Sequence, residues 1–383
     1  MENFEFFNPT RIVFGKDTEN KIGDILKKDR IKKVLFVYGK ESIKKIGLYD
    51  RVVMALKERG IEFIEHGGVK PNPVLGHARQ GIEKAKKEKV DAILAVGGGS
   101  VIDEGKTIAV GAKTKKDVWR FFKRQDEIKG ALPVYTILTV AATGTEMNEN
   151  AVITNEETKE KLSISSHHIY PKVSILNPEL TFSVSSQYQA YAAVDAIAHV
   201  IEYYFSGSYC PMIQNRFIEG LIKTVMDTTE SILKEPDNYN ARAEFMWAAT
   251  LALNGLAKLG IKGGSFPNHM IAHALGGLYD LAHGACLSIV IPAWMRWYKD
   301  KNPAQFERFA KELFDKNKAE EGILELKTWF KKIGAPVNLQ DAGISESDIP
   351  KIVDNAYNIA EVWNMKDIYT KDVLTEILKN ANY

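Results

Sequence analysis

The architecture of the first half of the chain follows from residues 91–100, which read DAILAVGGGS. The apolar run at 92–96 is typical of a strand that is buried on both faces of a parallel sheet. Three glycines follow at once, and a helical pattern resumes over residues 101–111. A strand that passes directly into a helix predicts a β-α-β unit.

The same alternation extends to both sides of this stretch. Strand patterns occur at 11–15, 34–38, 61–65 and 134–138, and helical patterns at 17–28, 48–59, 76–89 and 101–111. Beyond about residue 180 helical patterns dominate, at 185–204, 212–233, 240–259, 269–281, 303–317 and 319–333. We predict an α/β domain with a mostly parallel sheet at 1–178 and an all-α domain at 179–383. Ligands of such sheets bind at the carboxyl ends of the strands.

Composition restricts the function classes. The chain has 383 residues, 51 basic and 49 acidic, and a net charge of +2. This balance gives no support for nucleic acid or an anionic membrane as partner. Two cysteines cannot form a disulfide framework, and no apolar run reaches the ~18–20 residues of a membrane span. With no signal peptide at the start, we expect a cytoplasmic protein that acts on small molecules.

The glycines at 97–99 suggest a phosphate site. Glycines allow close approach of the backbone, and the following helix offers unpaired N–H groups and a positive dipole end. The pattern is neither G-x-G-x-x-G nor a P-loop, and the alternative is a tight turn with glycines for packing. Ser100, Asp103 and Lys106 add polar groups along the helix. Asp103 and Lys106 are alternatively a surface ion pair.

A second hydroxyl-rich run follows the strand at 134–138. Residues 139–146 read TVAATGTE, and their hydroxyls and N–H groups could hold a phosphate or an amide. Thr143 and Glu146 have the spacing of a capping box, so a helix N-terminus is the alternative.

Asp195 and His199 are four residues apart on the helix at 185–204, whose start is indicated by a capping box at Ser186. Residues at this spacing share one helix face. His269 and His273 repeat the spacing, and His283 follows ten residues later. A carboxylate and imidazoles that meet at one point would bind a divalent transition metal. The alternative is a set of hydrogen-bonded core residues.

Together, three ordered motifs resemble the iron-containing (group III) alcohol dehydrogenases, and most nearly their NADPH-dependent butanol dehydrogenase branch. The motifs are Gly97-Gly98-Gly99-Ser100-x-x-Asp103-x-x-Lys106, Asp195-x3-His199 and His269-x3-His273-x9-His283-Gly284. The resemblance implies a dehydroquinate synthase-like architecture, a homodimer, and Asp195, His199, His269 and His283 as metal ligands. Fe²⁺ is the implied ion, with Zn²⁺ as the alternative because the affinity order favours it. His273 is implied to lie near the nicotinamide and is our candidate for proton transfer, with packing as its alternative role.

The same resemblance implies the cofactor contacts. They are Gly39, Lys40 and Ser42 at the adenosine end, Gly97, Gly98, Ser100 and Asp103 at the pyrophosphate and nicotinamide ribose, and further Thr139, Thr143, Asn148, Lys161 and Leu180, with Asn150 facing the substrate. The alternative for Lys161 is a solvated charge cluster at 159–161. NAD-preferring relatives look to carry Asp where this chain has Gly39. A carboxylate there would repel a 2′-phosphate, so Gly39 with Lys40 predicts NADP(H), and NAD is the alternative.

We therefore predict a metal-dependent alcohol dehydrogenase or aldehyde reductase that transfers hydride between NADP(H) and a small primary aliphatic alcohol or aldehyde, such as butanol or butyraldehyde. Apolar residues near the histidines favour an aliphatic substrate: Phe266, Met270, Leu275, Leu278 and Tyr279. One alternative is a zinc enzyme resembling glycerol dehydrogenase or dehydroquinate synthase, with a polar pocket. Another is a non-enzymatic metal- or nucleotide-sensing protein, which would need only one of the two sites.

Overall fold

The computed structural model describes residues 1–382 and divides the chain into two compact units. The α/β unit contains residues 7–184 and 237–246, and the helical unit contains residues 1–6, 185–236 and 247–382. The predicted domain boundary at 178/179 lies six residues before the point, 184/185, at which the chain passes from the α/β unit to the helical unit. The placement of the segments 1–6 and 237–246 has no signal in the sequence.

The α/β unit alternates strands and helices, as predicted. Its elements are β1 Arg11–Phe14, α1 Ile22–Lys28, β2 Lys33–Tyr38, α2 Ser42–Lys45, α3 Leu48–Glu58, β3 Glu62–His66, α4 Leu75–Glu88, β4 Ala92–Gly98, α5 Gly99–Ala112, α6 Trp119–Phe122, β5 Val134–Val140, β6 Asn150–Asn155, β7 Glu160–Ser165 and β8 Val173–Leu176.

A six-stranded sheet forms the centre of this unit, with the order β1-β8-β5-β4-β2-β3 and parallel pairing throughout. Successive side chains of β4 point to opposite faces. Leu94 belongs to the core with α1 and α3. Ile93 faces α5, where a Cβ on Gly105 would lie 3.3 Å from Ile93 Cγ2. Helices therefore cover both faces, and the predicted parallel α/β sheet is confirmed.

Three strands of this unit were not predicted. β6 and β7 form an antiparallel hairpin outside the main sheet, and β8 completes the sheet between β1 and β5. β8 has only four residues. Such short runs give no clear periodicity, so the sequence alone does not separate them from loops.

The second unit is a helical bundle with one small two-stranded ribbon. Its elements are α7 Ser186–Ser206, β9 Gly207–Tyr209, α8 Met212–Lys234, the end of α9 Tyr239–Ala252, β10 Lys262–Gly263, α10 Pro267–Tyr279, α11 His283–Tyr298, α12 Pro303–Phe314, α13 Ala319–Lys332, α14 Ile349–Val362 and α15 Lys371–Asn380. The first part of α9, up to residue 246, belongs to the α/β unit. The predicted helical character is confirmed. Among residues 1–382, no helix is both long and apolar enough to cross a bilayer.

α11 is a helix of 16 residues that no helical pattern in the sequence predicted. Residues 284–295 of this helix are all buried. A helix that is apolar on every side lacks the amphipathic period that identifies surface helices. Its position matters because α11 packs against both α7 and α10, and its first residue is His283.

Candidate functional site

The metal candidate is built on α7, whose N-cap lies one residue before the predicted one. The capping box at Ser186 is wrong, because Ser185 is the N-cap and its hydroxyl accepts from Tyr188 N at 3.3 Å. Asp195 and His199 lie in the middle of this alanine-rich helix and are 3% exposed. Buried polar groups need partners, and the partners here come from α10 and α11.

Three imidazoles surround one oxygen of Asp195. The Nε2 atoms of His199, His269 and His283 lie 3.5, 3.8 and 3.7 Å from Asp195 Oδ1. Donor atoms on one tetrahedral ion, with bonds of about 2.0–2.2 Å, lie roughly 3.3–3.6 Å apart. The ligand atoms of Asp195, His269 and His283 are all within 4.8 Å of one another. This spacing fits a shared cation better than direct hydrogen bonds.

Protonation also favours a cation here. The ring of His199 stacks on that of His269, with centroids 4.9 Å apart. Burial, and then the nearby His269, lower the pKa of His199 well below its usual range. His199 is therefore neutral at pH 7, the form that coordinates a metal. One carboxylate with neutral imidazoles fits a borderline divalent ion such as Fe²⁺ or Zn²⁺.

The dinucleotide candidate lies at the carboxyl edge of the parallel sheet. α5 begins at Gly99 directly after β4, and its N-cap, Gly98, offers no side chain to its first N–H groups. A Cβ would lie 2.6 Å from Thr143 Oγ1 at Gly99 and 2.5 Å from Val101 Cγ2 at Gly97. These glycines are therefore required by packing. The open N–H groups of the helix are what point to a phosphate.

The loop at 39–42 lies beside these glycines, because β2 pairs with β4 through Tyr38 and Val96. A Cβ on Gly39 would contact nothing nearer than Val69 O at 3.7 Å. Lys40 is exposed, and Ser42 begins α2. The two predicted cofactor segments therefore share one edge of the sheet.

Asp103 and Lys106 are both buried, so their interpretation as a surface ion pair is wrong. Asp103 accepts from Thr145 Oγ1 at 2.6 Å and from Val152 N at 3.0 Å. Burial lowers the pKa of Lys106 to about 8, although Asp103 and Glu146 oppose the shift. Asp103 and Lys106 thus bind the segment that follows β5 to α5.

Lys106 holds that segment through oxygens of three residues. Its Nζ donates to Thr145 Oγ1 at 2.9 Å, to Asn148 O and Oδ1 at 2.9 and 3.2 Å, and to Asn150 O at 2.8 Å. The capping box at Thr143 is wrong, because Gly144, at φ 59°, precedes only a 3-10 turn, Thr145–Met147. The predicted contacts Asn148 and Asn150 are therefore fixed by Lys106 rather than by a helix.

Ser100 is half-buried in the first turn of α5. Three other predicted cofactor residues are buried. Lys161 is 4% exposed and donates to Asn72 Oδ1 at 2.8 Å, so the solvated cluster is wrong for this residue. Thr139 is the second-last residue of β5. Leu180 belongs to the sheet core and lies on the 3-10 turn Pro178–Thr181.

Family comparisons cover nearly the whole chain. The model described as iron-containing alcohol dehydrogenase matches residues 9–178, and the one described as Fe-containing alcohol dehydrogenase family, C-terminal, matches residues 189–382. The chain belongs to the iron-containing alcohol dehydrogenase family. The family membership that the motifs predicted is confirmed.

Relatives of this family member differ in cofactor. It is 39% identical to a probable NADH-dependent butanol dehydrogenase 1 of Bacillus subtilis, with 99% of each chain covered. It is 37% identical to NADH-dependent butanol dehydrogenase A of Clostridium acetobutylicum, with 100% of each covered. It is 35% identical to the NADPH-dependent aldehyde reductase YqhD of Escherichia coli, again with 100% of each covered.

Solved structures agree with the fold of the family. A crystal structure of NADH-dependent butanol dehydrogenase A from Thermotoga maritima is 51% identical, with a TM-score of 0.97 over 100% of this chain and 99% of that one. A crystal structure of Escherichia coli YqhD is 33% identical, with a TM-score of 0.93 over 99% of each chain.

Two residues of this family member's metal region were missed by sequence reasoning. Glu202 interrupts an apolar run of α7 and is buried. Its Oε1 accepts from His269 N and Nδ1, both at 2.9 Å, and its Oε2 accepts from Asn268 Nδ2 at 3.0 Å. Because Nδ1 donates, the Nε2 atom that faces Asp195 keeps its lone pair. The spacing in the sequence could have indicated this role, because Glu202 lies three residues after His199 and so on the same side of α7.

Burial raises the pKa of Glu202 to about 8, and the donors of His269 and Asn268 oppose that shift. A cation on the far side of the His269 ring would oppose the rise in the pKa of Glu202 further.

Trp363 is the second residue that the sequence did not indicate. Its ring meets His273 edge-on, with centroids 5.3 Å apart, and His273 lies 5.4 Å from the His283 ring.

Of the apolar residues predicted near the histidines, Met270 and Leu275 are completely buried in the core. They cannot line a substrate site. Phe266 is only half-buried, and its ring lies 5.1 Å from that of His269. Leu278 and Tyr279, the other two predicted residues, are also half-buried on α10. Phe266 and Trp363 have rings in contact with the histidine rings.

Replacing Gly284 by Ala should destabilise the helical unit. A Cβ on residue 284 would lie 2.0 Å from Tyr191 O, which is backbone of α7 and cannot move aside. We expect a loss of about 1–3 kcal/mol in the free energy of unfolding, because α11 must shift from α7. Urea denaturation measures it. The control is Gly220→Ala, since nothing lies within 4 Å of that Cβ position on α8. An unchanged stability in G284A would contradict the close packing of the two helices.

Proposed function

We propose that this chain catalyses reversible hydride transfer between NADP(H) and small primary aliphatic alcohols and aldehydes of the butanol type. The observation that carries the proposal is the convergence of three imidazoles on Asp195 Oδ1, at 3.5–3.8 Å. Membership of the iron-containing alcohol dehydrogenase family supports the reaction class. The butanol dehydrogenase relatives support the substrate class.

Asp195, His199, His269 and His283 would hold the divalent cation, Fe²⁺ in our proposal and Zn²⁺ as the alternative. Such an ion would supply a Lewis acid for the substrate oxygen, and a bound nicotinamide would supply the hydride donor or acceptor. Glu202 holds the proton on His269 Nδ1 and so orients the ring. His273 would pass the substrate proton through its imidazole nitrogens. The aromatic rings of Phe266 and Trp363, which lie beside His269 and His273, favour an aliphatic chain over a polyol.

On the cofactor side, the uncapped N-terminus of α5 would receive the pyrophosphate. Gly39, Lys40 and Ser42 would receive the adenosine end. The relatives' names include both NADH and NADPH, so the preference for NADP(H) rests on this loop. Gly39 presents no carboxylate to a 2′-phosphate, and Lys40 adds a positive charge.

A carboxylate at position 39 should reverse this preference. We expect Gly39→Asp to lower kcat/KM for NADPH by more than about tenfold relative to NADH, since like charges placed together cost several kcal/mol. Steady-state kinetics with both cofactors measures it. Gly39→Ala is the matched control, because the space around Gly39 accepts a Cβ. An unchanged preference in G39D would mean that the 2′-phosphate is recognised elsewhere.

Removal of the metal tests the enzyme against a sensing protein. Chelator treatment should abolish NADPH oxidation with butyraldehyde while far-ultraviolet circular dichroism stays unchanged, and Fe²⁺ should restore the rate. Full activity without metal would refute the proposal, and activity confined to glycerol would favour the polyol alternative. We further propose that the protein is cytoplasmic and forms a homodimer, and sedimentation equilibrium can test the dimer.

A further inference from the structure

A second cluster of potential metal ligands lies within the α/β unit. His66 ends β3, His77 lies on α4 and Glu104 lies on α5. Both imidazoles contact the same oxygen, with His66 Nε2 at 3.0 Å and His77 Nδ1 at 2.7 Å from Glu104 Oε1. The two rings stack with centroids 4.2 Å apart, and ligand atoms of all three residues lie within 4.8 Å of one another.

The cluster is enclosed, and part of its hydrogen-bonding capacity is unused. The side chains of Glu104 and His66 are 0% and 1% exposed, whereas that of His77 is 22% exposed. Within residues 1–382, neither Glu104 Oε2 nor His66 Nδ1 has a hydrogen-bond partner. A buried carboxylate oxygen without a donor is costly, and an ion that completes the site is one of its ordinary explanations.

Charge in the cluster also suits a cation. Burial opposes ionisation of Glu104, but hydrogen bonds from His66 and His77 outweigh it and hold the pKa of the carboxyl below its usual range. Glu104 is therefore a carboxylate at pH 7. The two imidazole nitrogens that face Glu104 are the atoms that would bind the ion, and a metal ion can displace a proton from a ligand atom.

The packing leaves room for this arrangement. A Cβ on Gly81 of α4 would lie 2.9 Å from His66 Nε2, so a larger residue there would displace the ring. Nitrogen and oxygen ligands of a tetrahedral ion are roughly 3.3 Å apart. The present separations of 2.7 and 3.0 Å need to open by only a few tenths of an ångström.

We propose that His66, His77 and Glu104 form a second metal site, separate from Asp195, that takes a borderline divalent cation of the Zn²⁺ class. Two histidines and a glutamate are a ligand set that zinc adopts in proteins. Glu104 Oε2, or a water reaching the site past His77, can take the fourth position. The ion links β3, α4 and α5, and α5 is the helix that starts at the glycines of the proposed phosphate site. Its role is to stabilise the α/β unit.

Cobalt binding to a chain without the first site tests this proposal. In the double variant Asp195→Ala/His269→Ala, we expect one equivalent of Co²⁺ per chain by equilibrium dialysis, with visible d–d absorption. Adding His77→Ala should weaken Co²⁺ binding by more than about 100-fold, because loss of an outer partner of a ligand already costs 10–100-fold. His167→Ala, an exposed histidine of the same unit, should leave it unchanged. Co²⁺ should also raise the Tm only where His77 is present.

Two results would overturn the second site. One is a double variant that folds, by circular dichroism, yet binds no Co²⁺. The other is Co²⁺ binding that persists at full strength after His77→Ala. If the double variant does not fold, metal analysis of the otherwise wild-type chain replaces it. His77→Ala must then lower the metal content by one equivalent per chain, and an unchanged content would refute the site. These readouts do not depend on dehydrogenase activity.

Discussion

His269→Ala and His283→Ala are each expected to lose one equivalent of bound metal and the aldehyde reductase activity together. Each change removes one of the imidazoles that lie 3.7–3.8 Å from Asp195 Oδ1. A Lewis acid contributes several kcal/mol to the stabilisation of the transition state, so kcat/KM should fall by about 10³-fold or more. Plasma emission spectroscopy on the purified variants and NADPH oxidation with butyraldehyde give the two readouts.

His167→Ala is the matched control for these variants, because His167 is an exposed histidine outside the helical unit. It should keep both the metal and the rate. A variant that retains the full metal content would remove its histidine from the ligand set. Loss of activity with the metal retained would instead assign that histidine a role in substrate or cofactor binding.

Glu202→Ala should produce the second large effect, although Glu202 does not face Asp195. Its removal leaves His269 Nδ1, His269 N and Asn268 Nδ2 without their acceptor inside the protein. The His269 ring can then rotate or change tautomer. We expect the metal affinity to fall by about 10–100-fold, the usual cost of losing such an orienting carboxylate. Competition with a chromophoric chelator measures the affinity.

A variant of a second buried glutamate controls for the loss of stability that follows when a buried carboxylate is removed. Glu219 on α8 is 5% exposed and accepts hydrogen bonds from Tyr204 and Arg308. Glu219→Ala should lower the Tm comparably while the metal affinity stays at the wild-type value. If Glu202→Ala and Glu219→Ala have the same metal affinity, Glu202 does not position His269. Excess metal should rescue kcat in Glu202→Ala, which a purely structural defect would not allow.

The sequence indicated which side chains could meet at the proposed metal site, but it did not indicate every helix that positions them. Asp195 and His199 could be paired because the spacing of four residues places two side chains on one helix face. The strand and glycines at 92–99 predicted the parallel sheet for a similar local reason. His283 was named as a ligand, but the helix it begins was not predicted. That helix is apolar on all sides, so its period cannot be read.

Features that depend on tertiary packing could not be predicted. Asp103 and Lys106 have the spacing of a surface pair, and only the hairpin β6–β7 and the segment before it bury them. In the sequence Glu202 only interrupts an apolar run, and its role becomes visible when Asn268 and His269 of α10 donate hydrogen bonds to it. His66, His77 and Glu104 lie on three different elements, β3, α4 and α5, so no local spacing indicates that they meet.

The central claim is that one divalent cation is held by Asp195, His199, His269 and His283. Anomalous diffraction from crystals of the active, metal-loaded protein, recorded at the iron and zinc edges, tests it most directly. The predicted result is a peak about 2.0–2.3 Å from a carboxylate oxygen of Asp195 and from Nε2 of each of the three histidines. Active crystals with no anomalous peak among these four side chains would contradict the account.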